Sequence, residues 1–223
     1  SALVFTAQWF RSGGFRCSPL NAALCHKELI MTYEEKFDIA VSTSNELGIS
    51  PRIVEKFPID ERDVDFFRNL VEHNLLGMLI ERFGVGDWGN QCMNVSAQLF
   101  AILQHYNIPC ELTYGDVHLG EKGEYAVSKS ILVDEWHEVS DKEGLPIHVW
   151  ITIGKDFIID PTISSRIHTD YDSSAPLNHL LVAEAQPLKN ETGIVYTPFL
   201  VGKNYLEKIA DIPLDYSSQM QMA

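Results

Sequence analysis

Residues 147 to 160 contain the pattern that decides the fold, Ile147-His148-Val149-Trp150-Ile151-Thr152-Ile153-Gly154-Lys155-Asp156-Phe157-Ile158-Ile159-Asp160. In the first seven residues, aliphatic side chains alternate with His148, Trp150 and Thr152, which is the two-residue period of a β-strand. Gly154 to Asp156 is suited to a three-residue hairpin loop. The sequence therefore predicts two antiparallel strands joined by this loop.

The register of this hairpin decides which side chains meet. If Ile153 pairs with Phe157, Trp150 lies opposite Asp160, and His148 becomes a diagonal neighbour of Asp160 on the same face. A carboxylate then lies within reach of the imidazole, although a one-residue bulge would break the register. Because His148 points away from the aliphatic row, it is poorly placed as a core histidine.

A helix is predicted upstream, after the turn-forming string Gly-Val-Gly-Asp-Trp-Gly at residues 84 to 89. Asn90 is the expected N-cap, and Pro109 prevents continuation beyond Asn107. Cys92 lies in the first turn, where unpaired N–H groups and the helix dipole favour the thiolate. The predicted apolar face has helical spacing and consists of Cys92, Val95, Ser96, Leu99, Ile102, Leu103 and Tyr106.

The residues Cys92, His148 and Asp160 together supply a nucleophile, a base and an acid that orients the base. An oxyanion would be bound by the backbone N–H of Cys92 and by one side chain just upstream. The candidates for that side chain are Trp88, Asn90 and Gln91. Trp88 and Trp150 either form the walls of a cleft or pack in the core.

Other interpretations of these residues are a purely structural role, a different base and a metal site. A cysteine on an apolar helix face is commonly a small core residue. His137 is a spare candidate base, but it has no obvious Asp partner in the sequence. A zinc site formed by Cys110, His118, His137 and His148 would match no recurring ligand spacing.

The rest of the chain predicts one α+β domain over residues 27–223, with its core at 86–162, a C-terminal cover at 163–223 and an N-terminal extension at 1–26. We expect helices over Glu28–Leu47 and from an Asp60 cap to Gly84, and a short helix over Tyr205–Ile209. Alternation predicts further strands at Cys110–Tyr114 and Ser130–Val139. The polar segments His118–Lys129 and Ser140–Leu145 are expected to be loops, the first of them at the rim of a cleft.

Composition excludes several classes of protein. The 223 residues carry a formal charge of −14, which argues against a nucleic-acid partner. No apolar run approaches the roughly 20 residues that a membrane span requires. The four cysteines form no disulfide framework and no C-x-x-C pair, so we expect a reducing, cytoplasmic environment, although a removed leader is compatible with a chain that begins at Ser1.

Several motifs together resemble the transglutaminase-like core of the papain-like cysteine enzymes. The similarity covers about residues 86 to 162, in the segments Gly89-Asn90-Gln91-Cys92-Met93-Asn94, Asn107-Ile108-Pro109-Cys110, His148-Val149-Trp150 and Ile159-Asp160-Pro161-Thr162. The resemblance implies an α+β fold in which the cysteine helix packs on an antiparallel sheet. It also implies Cys92 as nucleophile, His148 as base and Asp160 as orienting acid.

Two functions are therefore expected from the sequence. The first is a thiol-dependent acyl-transfer enzyme acting on an amide or peptide bond of a peptide or protein, by hydrolysis or transamidation. The second is a transglutaminase-like binding or scaffold module without catalysis, because fold does not imply function. The thiol chemistry requires no cofactor, and no calcium-loop signature is present.

Overall fold

The protein has an α+β fold built around one antiparallel sheet. The computed structural model describes residues 31–53, 66–67, 69–120, 123–138, 147–212 and 214. Within these ranges the chain forms five strands and seven α-helices, together with a π-helical segment at Leu70–Leu75. In chain order they are α1 (Tyr33–Glu46), α2 (Leu76–Phe83), α3 (Cys92–His105), β1 (Glu111–Leu119), α4 (Lys129–His137), β2 (His148–Ile153), β3 (Phe157–Asp160), α5 (Ile163–Asp170), β4 (Leu181–Glu184), α6 (Ala185–Thr192), β5 (Ile194–Val201) and α7 (Lys203–Ile209).

The predicted hairpin is confirmed as β2 and β3. Ile153 pairs with Phe157, and Ile151 pairs with Ile159, without a bulge in this ladder. His148 and Asp160 consequently lie on the same face of the sheet, close to the end of both strands.

The sheet has the strand order β4-β3-β2-β1-β5, so β2 is its central strand and each of its two faces is covered by helices. On one face, the odd-numbered residues of β2 pack in a core that includes α3. On the other face, Trp150 and Ile158 pack with residues of α1, α5 and α6. A central strand buried on both faces explains why every residue of β2 is buried.

Helix α3 begins at Cys92, as the sequence predicts, but its cap differs. Gln91, rather than Asn90, occupies the N-cap position, and its side chain makes no capping hydrogen bond. The helix ends at His105, and Asn107 has a left-handed φ of 57° before Pro109. Asparagine tolerates this conformation better than most residues, which makes the reversal into β1 possible.

The strand predicted at Ser130–Val139 is wrong, because residues 129–137 form α4. The side chain of Ser128 accepts a hydrogen bond from the Ile131 N–H and so caps the helix. Leu132 and Trp136, four residues apart, pack against the core around Tyr205. Helical spacing of these two side chains prevails over the short alternation that suggested a strand.

Other boundaries moved in smaller ways. Helix α1 starts at Tyr33, where Thr32 and Glu35 form a capping box, whereas the predicted start at Glu28 lies outside the described residues. The strand predicted at Cys110–Tyr114 runs over Glu111–Leu119, so the following loop begins later. The helix before Gly84 ends as expected, whereas the Asp60 cap, the Ser140–Leu145 loop and residues 1–26 lie outside the described residues.

The C-terminal part contributes more to the fold than its loop-like sequence suggests. Residues 163–201 contain two helices and the two edge strands β4 and β5, in addition to the predicted short helix, seen as Lys203–Ile209. Strand β5 pairs with β1 along the sheet edge. None of the helices in the described part of the chain combines the length and the apolar character needed to cross a membrane.

Candidate active site

His148 and Asp160 form a buried pair at the end of the β2–β3 hairpin. The Nε2 of His148 lies 2.5 Å from Oδ2 of Asp160, and neither side chain is exposed to solvent. Two ionisable groups removed from water in this way are stable together because each compensates the other, and removing either one leaves an uncompensated polar group.

The carboxylate of Asp160 is held by further donors. Its Oδ1 accepts hydrogen bonds from the Thr162 N–H at 2.9 Å, the Thr162 hydroxyl at 3.2 Å and the Ile163 N–H at 3.0 Å. Its Oδ2 accepts a second bond, 2.8 Å long, from the hydroxyl of Tyr196 on β5. Burial alone would raise the pKa of Asp160, but the His148 charge and these donors hold it below its usual value.

His148 is held in its charged form by the same pair. Burial on its own lowers the pKa of an imidazole, but the charge and hydrogen bond of Asp160 outweigh burial, and with a contribution from Cys92 the pKa of His148 rises to about 10. The side chain is therefore an imidazolium at neutral pH, hydrogen-bonded through Nε2–H to the carboxylate.

Cys92 lies in the first turn of α3, beside the residue that precedes His148. Its thiol donates a hydrogen bond to the carbonyl oxygen of Ile147 at 3.2 Å, and the residue is 7% exposed. One turn along the helix, the Ser96 hydroxyl donates to the carbonyl oxygen of Val149 at 2.7 Å. These two bonds fix α3 along the start of β2.

The second imidazole nitrogen remains available. Among the described residues, Nδ1 of His148 has no hydrogen-bond partner, whereas Nε2 is occupied by Asp160. Cys92 interacts with the imidazole closely enough to raise the pKa of His148. Nδ1 is thus the nitrogen free to exchange a proton with a group bound at the thiol.

Aromatic rings enclose the imidazole. Tyr125 stacks on it with the ring centroids 4.4 Å apart and an angle of 13° between the planes. The ring of Trp150 lies 5.8 Å from the imidazole, and that of Tyr196 lies 6.4 Å away. Tyr125 belongs to the segment that the sequence assigns to the rim of a cleft, and its ring covers His148.

The two tryptophans predicted at the site are both buried and hydrogen-bonded elsewhere. The Trp88 indole N–H donates to the Gly84 carbonyl oxygen at 3.1 Å, and the Trp150 N–H donates to the Tyr33 hydroxyl at 2.9 Å. Trp150 therefore packs behind His148 instead of lining an open cleft, and neither indole N–H is free to bind an oxyanion.

The two polar candidates upstream of the cysteine point toward solvent. Asn90 and Gln91 are exposed, and the Gln91 side-chain N–H donates to the Asp87 carbonyl oxygen at 3.3 Å. They lie at the start of α3, next to Cys92 in the chain.

The loop before Cys92 is fixed by a residue far away in the sequence. The Asn178 side chain accepts the Gly86 N–H at 3.0 Å and donates to the Gly86 carbonyl oxygen at 2.8 Å. Asn178 and Tyr196 were both missed from the sequence, because neither belongs to a motif and each meets its partner only in the folded chain.

The spare candidate base and the cysteine of the proposed zinc site lie on other parts of the fold. His137 is the last residue of α4, and the Cys110 thiol accepts a hydrogen bond from Gln104 at 3.6 Å. In the ranges that the structure describes, no group of three or more His, Cys, Asp or Glu side chains is arranged to hold a metal ion.

Comparisons with known proteins add little to this geometry. No family model matches the chain. No curated protein matches it either. One solved structure, the crystal structure of the genomics target APC5867, is similar with a TM-score of 0.35 and 18% identity over 71% of this chain and 73% of the other.

Proposed function

We propose that the protein is a thiol-dependent acyl-transfer enzyme of the papain-like, transglutaminase-like kind, with Cys92 as nucleophile and His148 and Asp160 as its partners. One observation carries the proposal. A buried imidazolium is hydrogen-bonded to a carboxylate through Nε2, keeps Nδ1 without a partner among the described residues, and interacts with a cysteine at a helix N-terminus. The α+β fold, with the cysteine helix on an antiparallel sheet, agrees with the resemblance in the motifs.

The first half of the reaction forms a thioester. In the reactive form, the thiol proton has moved from its hydrogen bond with the Ile147 carbonyl oxygen to Nδ1 of His148. The Cys92 thiolate attacks the carbonyl carbon of an amide, so that an S–C bond forms and the carbonyl π pair moves to oxygen. When the tetrahedral intermediate collapses, the C–N bond breaks and the Nδ1 proton passes to the departing nitrogen. The products of this half are an acyl-thioester on Cys92 and a free amine.

The second half releases the acyl group. Neutral His148 removes a proton from water or from an acceptor amine as that nucleophile attacks the thioester carbon. The S–C bond then breaks, which restores the thiolate and the imidazolium. Asp160 retains its hydrogen bond to Nε2 throughout and so keeps Nδ1 directed at the reacting atoms. Peptide or protein amides are the proposed substrates, and no step requires a cofactor.

A binding module without catalysis is the second candidate, because the site is closed. His148 is fully buried, and only 7% of Cys92 is exposed. A scaffold would keep this pair as a structural core element, whereas an enzyme must let a substrate reach the Cys92 thiol. The two candidates differ in the reactivity that they predict for the thiol.

Alkylation by iodoacetamide at neutral pH separates these candidates, with Cys110 as an internal control. Cys92 and Cys110 are both free and buried, but burial raises the pKa of Cys110 and disfavours its thiolate. We expect Cys92 to be alkylated about 100-fold faster than Cys110, in line with the reactivity of cysteines beside an imidazolium. Peptide mapping of wild type, Cys92→Ala and Cys110→Ala would assign the rates. Equally slow alkylation of Cys92 and Cys110 would refute the proposed enzymatic function.

A further inference from the structure

The hydroxyl group of Tyr125 has no structural role among the described residues. Its oxygen is buried and has no hydrogen-bond partner there. A buried hydroxyl without a partner destabilises a fold, and a phenylalanine would pack equally well without this penalty. An unpaired donor beside a candidate active site therefore calls for a functional explanation.

The position of Tyr125 is fixed by contacts that do not involve its hydroxyl. Its backbone N–H donates to Oδ1 of Asp116 at 3.0 Å, and its ring stacks on His148. The preceding residue, Glu124, accepts a hydrogen bond from the Tyr171 hydroxyl and lies 3.6 Å from the Arg166 side chain. Contacts of Tyr125 and of Glu124 therefore hold the Tyr125 ring in place and leave its hydroxyl unbonded within the described part of the chain.

We propose that the Tyr125 hydroxyl donates a hydrogen bond to the carbonyl oxygen of the acyl group attached to Cys92, and so stabilises the oxyanion. The inference rests on the proposed function and names a catalytic donor for it. It adds a donor to those predicted upstream of Cys92, of which the Trp88 indole N–H and the Gln91 side-chain N–H already have partners.

The electrostatics of the site suit this role. Burial, with the charges of Asp160 and Cys92, raises the pKa of Tyr125 far above its usual value, so the phenol keeps its proton at neutral pH. In the tetrahedral intermediate, the carbonyl oxygen gains a negative charge, and the bond to the hydroxyl becomes stronger than it is in the ground state. No proton is transferred in this interaction.

The test compares two reactions of the same thiol. Acylation by p-nitrophenyl acetate passes through an oxyanion, whereas alkylation by iodoacetamide does not. In Tyr125→Phe we expect acylation of Cys92 to slow by about 100-fold, as for removal of one oxyanion donor, and alkylation to change less than about twofold. Tyr205→Phe is the matched control, because that buried hydroxyl donates to the Leu132 carbonyl oxygen away from the site. It should change neither rate.

Thermal unfolding adds an independent readout. Tyr125→Phe should unfold at the wild-type temperature or above it, because it removes an unpaired group, whereas Tyr205→Phe should unfold at a lower temperature. Wild type that acylates at Cys92 while Tyr125→Phe acylates equally fast would overturn this inference alone. A parallel fall of acylation and alkylation would overturn it too, by assigning Tyr125 a structural role. Wild type that does not acylate at Cys92 would refute the proposed function together with the inference.

Discussion

Replacing Asp160 with asparagine tests whether His148 is charged because of its buried partner. The amide oxygen of the replacement can accept the bonds from Thr162 and Ile163 that Oδ1 now accepts. The amide NH₂ group, however, would face Nε2 of His148 and can only donate, so it cannot hold an imidazolium. Burial, the largest single influence on the pKa of His148, is then opposed only by the smaller contribution of Cys92, so we expect that pKa to fall.

The size of the effect follows from the pKa values. In Asp160→Asn the pKa of His148 should fall from about 10 to below its ordinary 6.5, so that at pH 7 less than about a quarter of the imidazole is charged. At about 1.4 kcal/mol per pKa unit, the difference between a pKa of about 10 and one of 6.5 corresponds to about 5 kcal/mol. Because the amide retains the Thr162 and Ile163 bonds, we expect the free energy of unfolding to fall by about 3 kcal/mol, as for other broken buried pairs.

NMR titration of the His148 ring and urea denaturation measure these two quantities. Asp156→Asn is a matched control in the same hairpin, because burial and the nearby carboxylates of Glu34 and Glu184 raise the pKa of Asp156, so its amide should not destabilise the fold. If His148 in Asp160→Asn still titrates near pH 10, or if stability changes by less than about 1 kcal/mol, the buried ion pair is refuted.

Three further predictions follow from contacts of the same sheet. Tyr196→Phe removes a donor to Asp160 and should lower the free energy of unfolding in urea by about 1.5–3 kcal/mol, whereas an unchanged value would contradict the bond. In Gly115→Ala the new methyl would lie 2.1 Å from a carbonyl oxygen of β5, so we expect the free energy of unfolding to fall by about 3 kcal/mol. Gly77→Ala has open space around it, so its free energy of unfolding should be unchanged or rise by up to about 1 kcal/mol, and thermal unfolding of both variants measures the difference. Because the pKa of His148 is higher in the folded protein than in the unfolded chain, its contribution to stability is complete below about pH 6.5 and is lost as the pH rises through about 10. Wild type should consequently lose more stability between pH 7 and pH 11 than Asp160→Asn, and parallel losses would argue against the pair.

The parts of the site that local patterns encode could be predicted from the sequence. Alternation over 147–153 and a three-residue turn fixed the register that brings His148 to Asp160. Helical spacing and the glycine-rich turn placed Cys92 in the first turn of α3. Both depend on backbone periods that extend over a few residues only, and such periods are visible in a single chain.

The remaining contacts depend on tertiary structure. Tyr196 meets Asp160 across 36 residues, and Asn178 meets Gly86 across 92. No local pattern marks these residues, because their roles arise from the pairing of β5 with β1 and from the packing of the segment after α5. The misassigned strand at residues 130–139 has a similar origin, since the core around Tyr205 selects the helical face of α4.

The two hydrogen bonds from α3 to the start of β2 limit how insertions and deletions can alter the site. Cys92 and Ser96 are one helical turn apart, and they bond to carbonyl groups two strand residues apart. A rise of about 6 Å along the helix matches one of about 6.7 Å along the strand, so the two elements are in register where they touch. Insertions and deletions in the connections between them leave that register intact. Changes in those connections can therefore alter what surrounds the Cys92 thiol, while the distance between that thiol and the His148 imidazole stays the same.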